Sequence, residues 1–524
     1  MNKSLLALTV AIGVALAGIA SAADVIPVNF DGANEGYNDP TPAAPVAGNP
    51  GTTVGQQRQI VAQFAADLWG SVLVSNVPIY VGAQFNPLGA NVLGQAGAAN
   101  VFFDETGLPV PGTLYSGALA DALHGSDLDP GFTDINSQFS SDFAFYYGLD
   151  GNTPAGQISF LDVVMHEFGH GLGFQNFENE GTGRFLADIP DIYSTFTLDN
   201  STGKLWTQMT VNERRLSGIN YGNVVFNGPS ATFGAGLILD PRTAFRVTAP
   251  SSIAGEYNYG TASFGAPVTP ANFNGNVVNG LPADGCAPLT NAGAVAGNIV
   301  IVDRGTCGFV VKAANAQAAG ATGLIVANNT AGSPAPGLGG ADPTLTIPTI
   351  SVTQPDGALI KGATGVQVGL VVDPSKLQGA DNAGHPRLFM PNPVQSGSSG
   401  SHYDTATAPN TLMEPAINDS LNAALNIDIT ANLLKDTGWH LNTGNAVIAG
   451  CDTSIKIIND AGIIIGANVQ ATSNLIAATS PDKATYQNRM SQYKDQMVAA
   501  GLITGKQGGK MMQCAAKIVK NSKI

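Results

Sequence analysis

Cysteine is scarce in this chain. Only Cys286, Cys307, Cys451 and Cys514 occur in 524 residues, and no Cys-x-x-Cys spacing appears, which excludes a thiolate-built zinc ribbon or finger. Charge is thin as well. Asp, Glu, Lys and Arg make up 12% of residues, and 38 acids outnumber 23 bases for a formal net charge of −15. Phosphate recognition needs clustered Lys and Arg, so nucleic acid is not an expected partner. Beyond residue 22 no apolar run is long and unbroken enough for a membrane span, which needs about 20 residues. No repeat of fixed period is present. Apolar content is an ordinary 44%, and the length exceeds what one hydrophobic core serves, so several domains are expected.

The N-terminus reads as an address. Lys3 is followed by an apolar run from Leu5 to Ile19 and by Ala20-Ser21-Ala22, whose small-x-small form suits signal-peptide cleavage. The run is short for a span, and no Cys follows the site to carry a lipid. A secreted or periplasmic location is therefore expected. In an oxidising compartment the cysteines pair by default, and of the three pairings the sequence-local ones, Cys286 with Cys307 and Cys451 with Cys514, are favoured.

Residues 23 to 55 are rich in Gly, Pro and Asn and read as an irregular arm. Ile60, Phe64 and Leu68 recur at helical spacing within Gln56–Trp69. Short strands are expected around Val72–Val81 and Phe143–Tyr147. The clearest helix signal is Ser159-Phe160-Leu161-Asp162, a capping-box pattern opening a helix over Phe160–Gly171. From Phe245 to Val372 the texture changes. Ile299–Val302, Leu324–Val326 and Ile347–Val352 read as strands and Lys312–Ala319 as an Ala-rich helix, a compact module with its own core. Beyond Gly450 the chain reads as helical.

The predicted helix Phe160–Gly171 carries His166-Glu167-Phe168-Gly169-His170. Two His four residues apart project from one helix face. Neutral imidazoles so placed can share one Zn²⁺ at about 2.0–2.1 Å. Glu167, beside the first of them, is positioned to take a proton from water and later return it to a leaving amine. Gly173 extends the pattern to His-Glu-x-x-His-x-x-Gly and permits a sharp left-handed exit from the helix. This motif resembles the metzincin clan of zinc proteases. The common short form takes its third ligand three residues later, where this chain has Asn176.

A distant segment offers an imidazole instead. Gly400-Ser401-His402-Tyr403-Asp404 followed by Thr411-Leu412-Met413-Glu414-Pro415 resembles the leishmanolysin type of metzincin. That resemblance implies His402 as third ligand and Met413 as the residue of a turn underlying the metal, with Leu433–Trp439 similar to the short helix that closes such domains. The leishmanolysin-type cysteine switch has no counterpart, since no Cys precedes Cys286. A thermolysin-like site would instead use a downstream carboxylate. Glu213 is the best rival in that reading, with Asp188 and Asp191 weaker. A further alternative is a non-catalytic exported binding protein with a degenerate metal site, against which the intact Glu167 argues. The stretches Gly297–Phe309 (GNIVIVDRGTCGF) and Lys312–Gly320 (KAANAQAAG) resemble a protease-associated (PA) domain, which implies a non-catalytic insert between the two parts of a catalytic domain.

The resulting expectation is an α+β chain: a signal peptide over 1–22, a metzincin-like catalytic domain in two parts over 23–244 and 373–446, an α/β PA insert over 245–372, and a small helical C-terminal region over 447–524. Its expected activity is zinc-dependent endopeptidase hydrolysis of proteins or peptides. Asp127, Asp129 and Asp150 are candidate contacts for Ca²⁺ without the spacing of an EF-hand loop. His124, His385 and His440 have no ligand-like spacing. Nothing in the sequence specifies an oligomeric state.

Overall fold

The computed structural model describes residues 22–418 and 420–518. The expected signal peptide falls almost wholly outside them. The first part of the chain builds a four-stranded sheet from β1 (Val25–Asn29), β2 (Ile79–Asn86), β3 (Gly94–Ala98) and β4 (Ile135–Ser140). Spatial order is β1-β2-β4-β3. The first three of these are mutually parallel, and β3 runs antiparallel along the outer side of β4.

Of the three helices that follow, the first and third pack on this sheet and the second on the short strand pair Val101–Phe102 and Tyr115–Ser116. Helix α1 covers Val54–Val72, longer at both ends than the periodicity predicts, because Thr53 Oγ1 caps it by accepting from Gln56 N at 3.2 Å. It buries Val61, Phe64, Leu68, Trp69 and Val72. Val72, expected in a strand, is thus helical. Helix α2 is Gly117–His124, and α3 is Phe160–Gly171, the residues that the motif pattern predicts. Every residue of α3 is buried. Ser159 Oγ accepts from Asp162 N at 3.2 Å, as the capping pattern implies. Asp162 keeps a side-chain hydrogen bond with Ser159 and also accepts from Ala423 N at 2.8 Å, tying the helix start to a segment 261 residues onward.

Between Asp240 and Gln378 the chain makes an eight-stranded mixed sheet. Its centre is a parallel run of Asn274–Asn279, Ile299–Asp303, Gly323–Ala327 and Thr349–Val352. Two buried clusters cover its faces. One contains Phe245, Ile299, Ile325 and Ile350; the other contains Val300, Val302, Leu324 and Val326. This alternation explains the unbroken apolar runs in the sequence, since a strand covered on both sides has no polar face. The antiparallel strands Pro241–Ala249 and Gln367–Leu377 close the module and straddle the expected boundaries at 245 and 372. Gln378 N donates to Asp240 O at 2.8 Å, so the chain enters and leaves the module at adjacent points. Excising 241–377 behind a short Gly/Ser linker is therefore expected to leave a soluble remainder with a cooperative thermal transition. A remainder without one, by calorimetry and near-ultraviolet circular dichroism, would show that the two cores depend on each other.

The C-terminal region corrects the helical expectation in part. It opens with a hairpin, Asn445–Ile448 paired with Cys451–Lys456, before helices Ile465–Thr479, Lys483–Ala499 and Gly505–Ala515. It is not a separate unit either: Ile464, Val469, Tyr486, Met511 and Cys514 belong to the same buried cluster as Trp69, Phe160 and Met413. Disulfides join Cys286 to Cys307 and Cys451 to Cys514. Among the described residues no helix is long and apolar enough to cross a membrane.

Candidate metal centre

Helix α3 presents His166 and His170 toward His402, which lies in a loop 232 residues beyond His170. The three Nε2 atoms form a near-equilateral triangle: 3.0 Å from His166 to His170, 3.2 Å from His170 to His402 and 3.2 Å from His402 to His166. Each ring is fixed through its other nitrogen. Nδ1–H donates to Leu412 O from His166 (2.7 Å), to Phe174 O from His170 (2.8 Å) and to Ser398 O from His402 (2.8 Å). That assignment leaves three Nε2 lone pairs converging on one point. Burial lowers the pKa of His166 to about 4 and of His402 to about 3, and holds His170 well below its ordinary value, so all three are neutral donors at neutral pH.

Three neutral acceptors cannot satisfy one another, and a buried set of this kind needs a proton or a cation between them. Ligands about 2.0–2.1 Å from a tetrahedral zinc lie about 3.3 Å apart, close to the separations observed. Backbone carbonyls bound to the distal nitrogens are the usual way to fix the tautomer of a ligating His.

Local packing shows what these residue types do here. Met413 lies directly against Gly169, between the two helical His: a Cβ on Gly169 would come within 2.9 Å of Met413 Sδ. Leu412 O holds His166 while Leu412 N donates to Asp428 Oδ2 at 2.6 Å, and Glu414 Oε1 accepts from Thr411 N at 2.7 Å. Tyr403 N donates to Met413 O at 2.8 Å, linking the turn to the His402 segment. Gly173 adopts φ +117°, and its N–H bonds His170 O at 3.0 Å as the chain leaves the helix. Asn176, at the short-form ligand position, uses its backbone N–H to bond Ser401 Oγ at 3.2 Å. It thereby supports the loop that carries His402.

Glu167 is buried beside this triangle on α3, and burial alone raises its carboxyl pKa to about 8. Strand β3 passes close to it: a Cβ on Gly94 would lie 2.6 Å from Glu167 Oε1. Sequence reading does not identify β3 as part of the site. Its Gly- and Ala-rich composition, Gly94-Gln95-Ala96-Gly97-Ala98, was the available signal, since close backbone approach selects residues without bulk.

The rival carboxylates lie elsewhere. Glu213 caps the helix Val211–Ser217 through Thr210 and pairs with Lys204 at 2.5 Å, which lowers its pKa to about 2. Asp188 faces Arg184 at 3.5 Å, and Asp191 accepts from Phe177 N and Ser194 N, both at 2.7 Å. His385 bonds Asp381, and His124 contacts Ser126. Asp150 orders its own turn through Asn152, whereas Asp129 falls in an acidic group with Asp121 and Asp134.

Comparison with known proteins is confined to part of the chain. Signal peptide peptidase-like 2 of Arabidopsis thaliana is 44% identical over 71 residues, 13% of this chain and 13% of that protein. Leucine aminopeptidase 2 of Trichophyton rubrum is 43% identical over 74 residues, 14% of this chain and 15% of its own length. The chain thus spans less than a sixth of either relative. Among solved structures, BSAP, a zinc aminopeptidase from Bacillus subtilis, aligns with 27% of this chain and 36% of its own at 19% identity, with a TM-score of 0.21. Residues 273–360, which form the centre of the inserted sheet and its helices, match the family model of the PA domain, and the insert is therefore a PA domain.

Proposed function

We propose that this chain is a zinc-dependent peptidase of metzincin-like type, with His166, His170 and His402 as metal ligands and Glu167 as general base and acid. The observation that carries the reading is the triangle of Nε2 atoms, each ring locked through Nδ1 and the whole set next to a buried carboxylate. Bound there, zinc supplies Lewis acidity that polarises the scissile carbonyl and makes water easier to deprotonate. The three His remain neutral and fixed throughout. Glu167 sits where burial opposes its ionisation and the metal's charge favours it, a balance that suits a group required to accept and then release a proton.

Endopeptidase action is supported by the position of β3. It is the outer strand of its sheet. Leu93 O and Ala99 N point inward to β4's side, bonding Ser140 N and Asp134 O, so by alternation Gly94 and Ala96 direct their backbone groups outward. An extended substrate can pair along that edge and continue past the metal in both directions. The PA domain touches the segment before His402 through a reciprocal pair between Ser333 and Asn392 at 2.8 and 2.9 Å. This contact supports a role for the domain in shaping access to the site.

Metal analysis of the purified protein, with casein hydrolysis before and after chelation, tests the proposal. Comparing an internally quenched peptide with an aminoacyl p-nitroanilide separates endopeptidase from aminopeptidase. Zinc-free protein, or chelator-insensitive hydrolysis, would refute it. Gly94→Ala offers a finer check. The added methyl must displace Glu167, so kcat should fall about 10–100-fold while metal content stays unchanged.

A further inference from the structure

Strand β3 leads to a depression of about 600 Å³ whose walls are apolar. Phe102, Phe132, Phe177 and Leu186 line it, with Ala98 and Gln175 on the side of the strand. Leu186 N donates to Phe177 O at 3.1 Å, which brings those two walls together. Phe132 stands on a turn closed by its own N–H to Asp129 O at 3.2 Å. Two of these walls face solvent: Phe132 is 72% exposed and Leu186 47%. Large apolar side chains gathered and left uncovered at one place mark a surface that binds something apolar.

The open edge of β3 runs straight into this depression. Gly94, Ala96 and Ala98 direct their backbone groups outward, by the alternation described above. At Ala98 the edge is already closed, because Gln175 Oε1 accepts from Ala98 N at 3.3 Å. The other end of that amide, Nε2, has no acceptor among the described residues. A chain paired along β3 therefore finds two open positions, Gly94 and Ala96, and then a free amide donor for its next carbonyl. Gln175 is also tied to the metal centre. It follows Phe174, whose carbonyl accepts from His170 Nδ1, and precedes Asn176, which bonds the His402 loop. Gly94 lies against Glu167, and from there to Ala98 an extended strand covers about 14 Å.

The geometry points to a side-chain subsite: Phe102, Phe132, Phe177 and Leu186 receive an aromatic or large aliphatic residue of the peptide substrate, three or four positions before the scissile bond. This inference rests on the peptidase reading above. Antiparallel pairing, the more stable arrangement, runs the substrate opposite to β3 and sets its amino-terminal side at the Ala98 end. Main-chain bonds along such an edge hold any sequence, and the pockets beside them select side chains. A Phe or Leu laid against these walls removes apolar surface from water on both partners. Asp129, on the same rim, adds a carboxylate that disfavours Asp or Glu at that position. Selection for an apolar residue remote from the cleaved bond is thus separate from the chemistry at the metal.

Fluorescent decapeptides in which a single Phe is walked along an Ala/Ser background test it in two ways. Binding is read by anisotropy on the full-length Glu167→Gln protein, and cleavage by the wild type is mapped by mass spectrometry. The Phe peptides should bind at least about fivefold more tightly than the Ala/Ser parent, and cleavage should fall three or four residues after the Phe. Adding Phe132→Ser should reduce the binding preference to about twofold or less. Leu186→Ser, at the second exposed wall, takes its place if that variant fails to fold. Equal binding of Phe and parent peptides, a preference that survives both substitutions, or cleavage at another register would overturn the subsite. So would self-association of the wild type that Phe132→Ser abolishes, with no peptide preference, since it would assign the patch to a second copy of the chain. Absence of cleavage alongside a Phe132-dependent binding preference would instead overturn the peptidase reading and leave the subsite standing in a peptide-binding groove.

Discussion

Glu167→Gln is expected to bind as much zinc as the wild type and to hydrolyse peptides about 10²–10⁴-fold more slowly, the usual contribution of general acid–base catalysis. The substitution preserves side-chain size in a place with no room for change, given the approach of Gly94 and the burial of all of α3. It leaves the three imidazoles and their carbonyl partners intact. Only the capacity to accept a proton is lost. Turnover near the wild-type value, measured alongside metal content, would remove Glu167 from the mechanism.

His402→Ala should have the opposite profile, with zinc affinity reduced at least about tenfold and activity lost along with the metal. Two helical His supply only half of a tetrahedral shell, and no described carboxylate joins His166, His170 and His402 in the group that could hold the ion. Glu213→Ala serves as the contrast. It removes a helix cap and a solvent-exposed ion pair with Lys204, a small loss of stability, and should leave zinc binding unaltered. Equal zinc affinity in His402→Ala and wild type, by competition against a chromogenic chelator, would exclude His402 from the shell.

The sequence revealed these elements unevenly, for physical reasons. Helix α3 was legible because its signals were local: a Ser cap, an apolar face and the i, i+4 spacing of its His. The central strands of the insert were legible for a similar reason, since strands covered on both faces become short runs of Val, Ile and Leu. The two disulfides followed from proximity along the chain. What escaped depends on tertiary contact. The small residues around Gly94 signal a close approach but not that Glu167 is the partner, because that residue lies on another element and the clue is a missing side chain. Leu412 serves the site through its carbonyl, which residue identity does not record. Asp162 reads as a cap residue, and nothing local shows that it also bonds Ala423 N. The hairpin before the C-terminal helices was missed because Cys451–Lys456 is too short and polar to show an alternating face. The acidic cluster was half seen: Asp127 and Asp129 share a loop, but Asp121 and Asp134 join them only once α2 and β4 are in place.

The distance along the chain from His170 to His402 has a consequence for biosynthesis. A chain emerging N-terminus first presents two imidazoles on one helix long before the third exists, and the whole PA domain must be made in between. The carbonyl that orients His166 belongs to Leu412 and arrives later still. Assembly of the centre therefore waits for the segment that carries His402 and Leu412, which also supplies Tyr403 and Met413 to the buried cluster around Trp69 and Phe160. Until then a partly made chain has a bidentate grip at most, and truncated products ending before His402 should be inert toward the proteins around them.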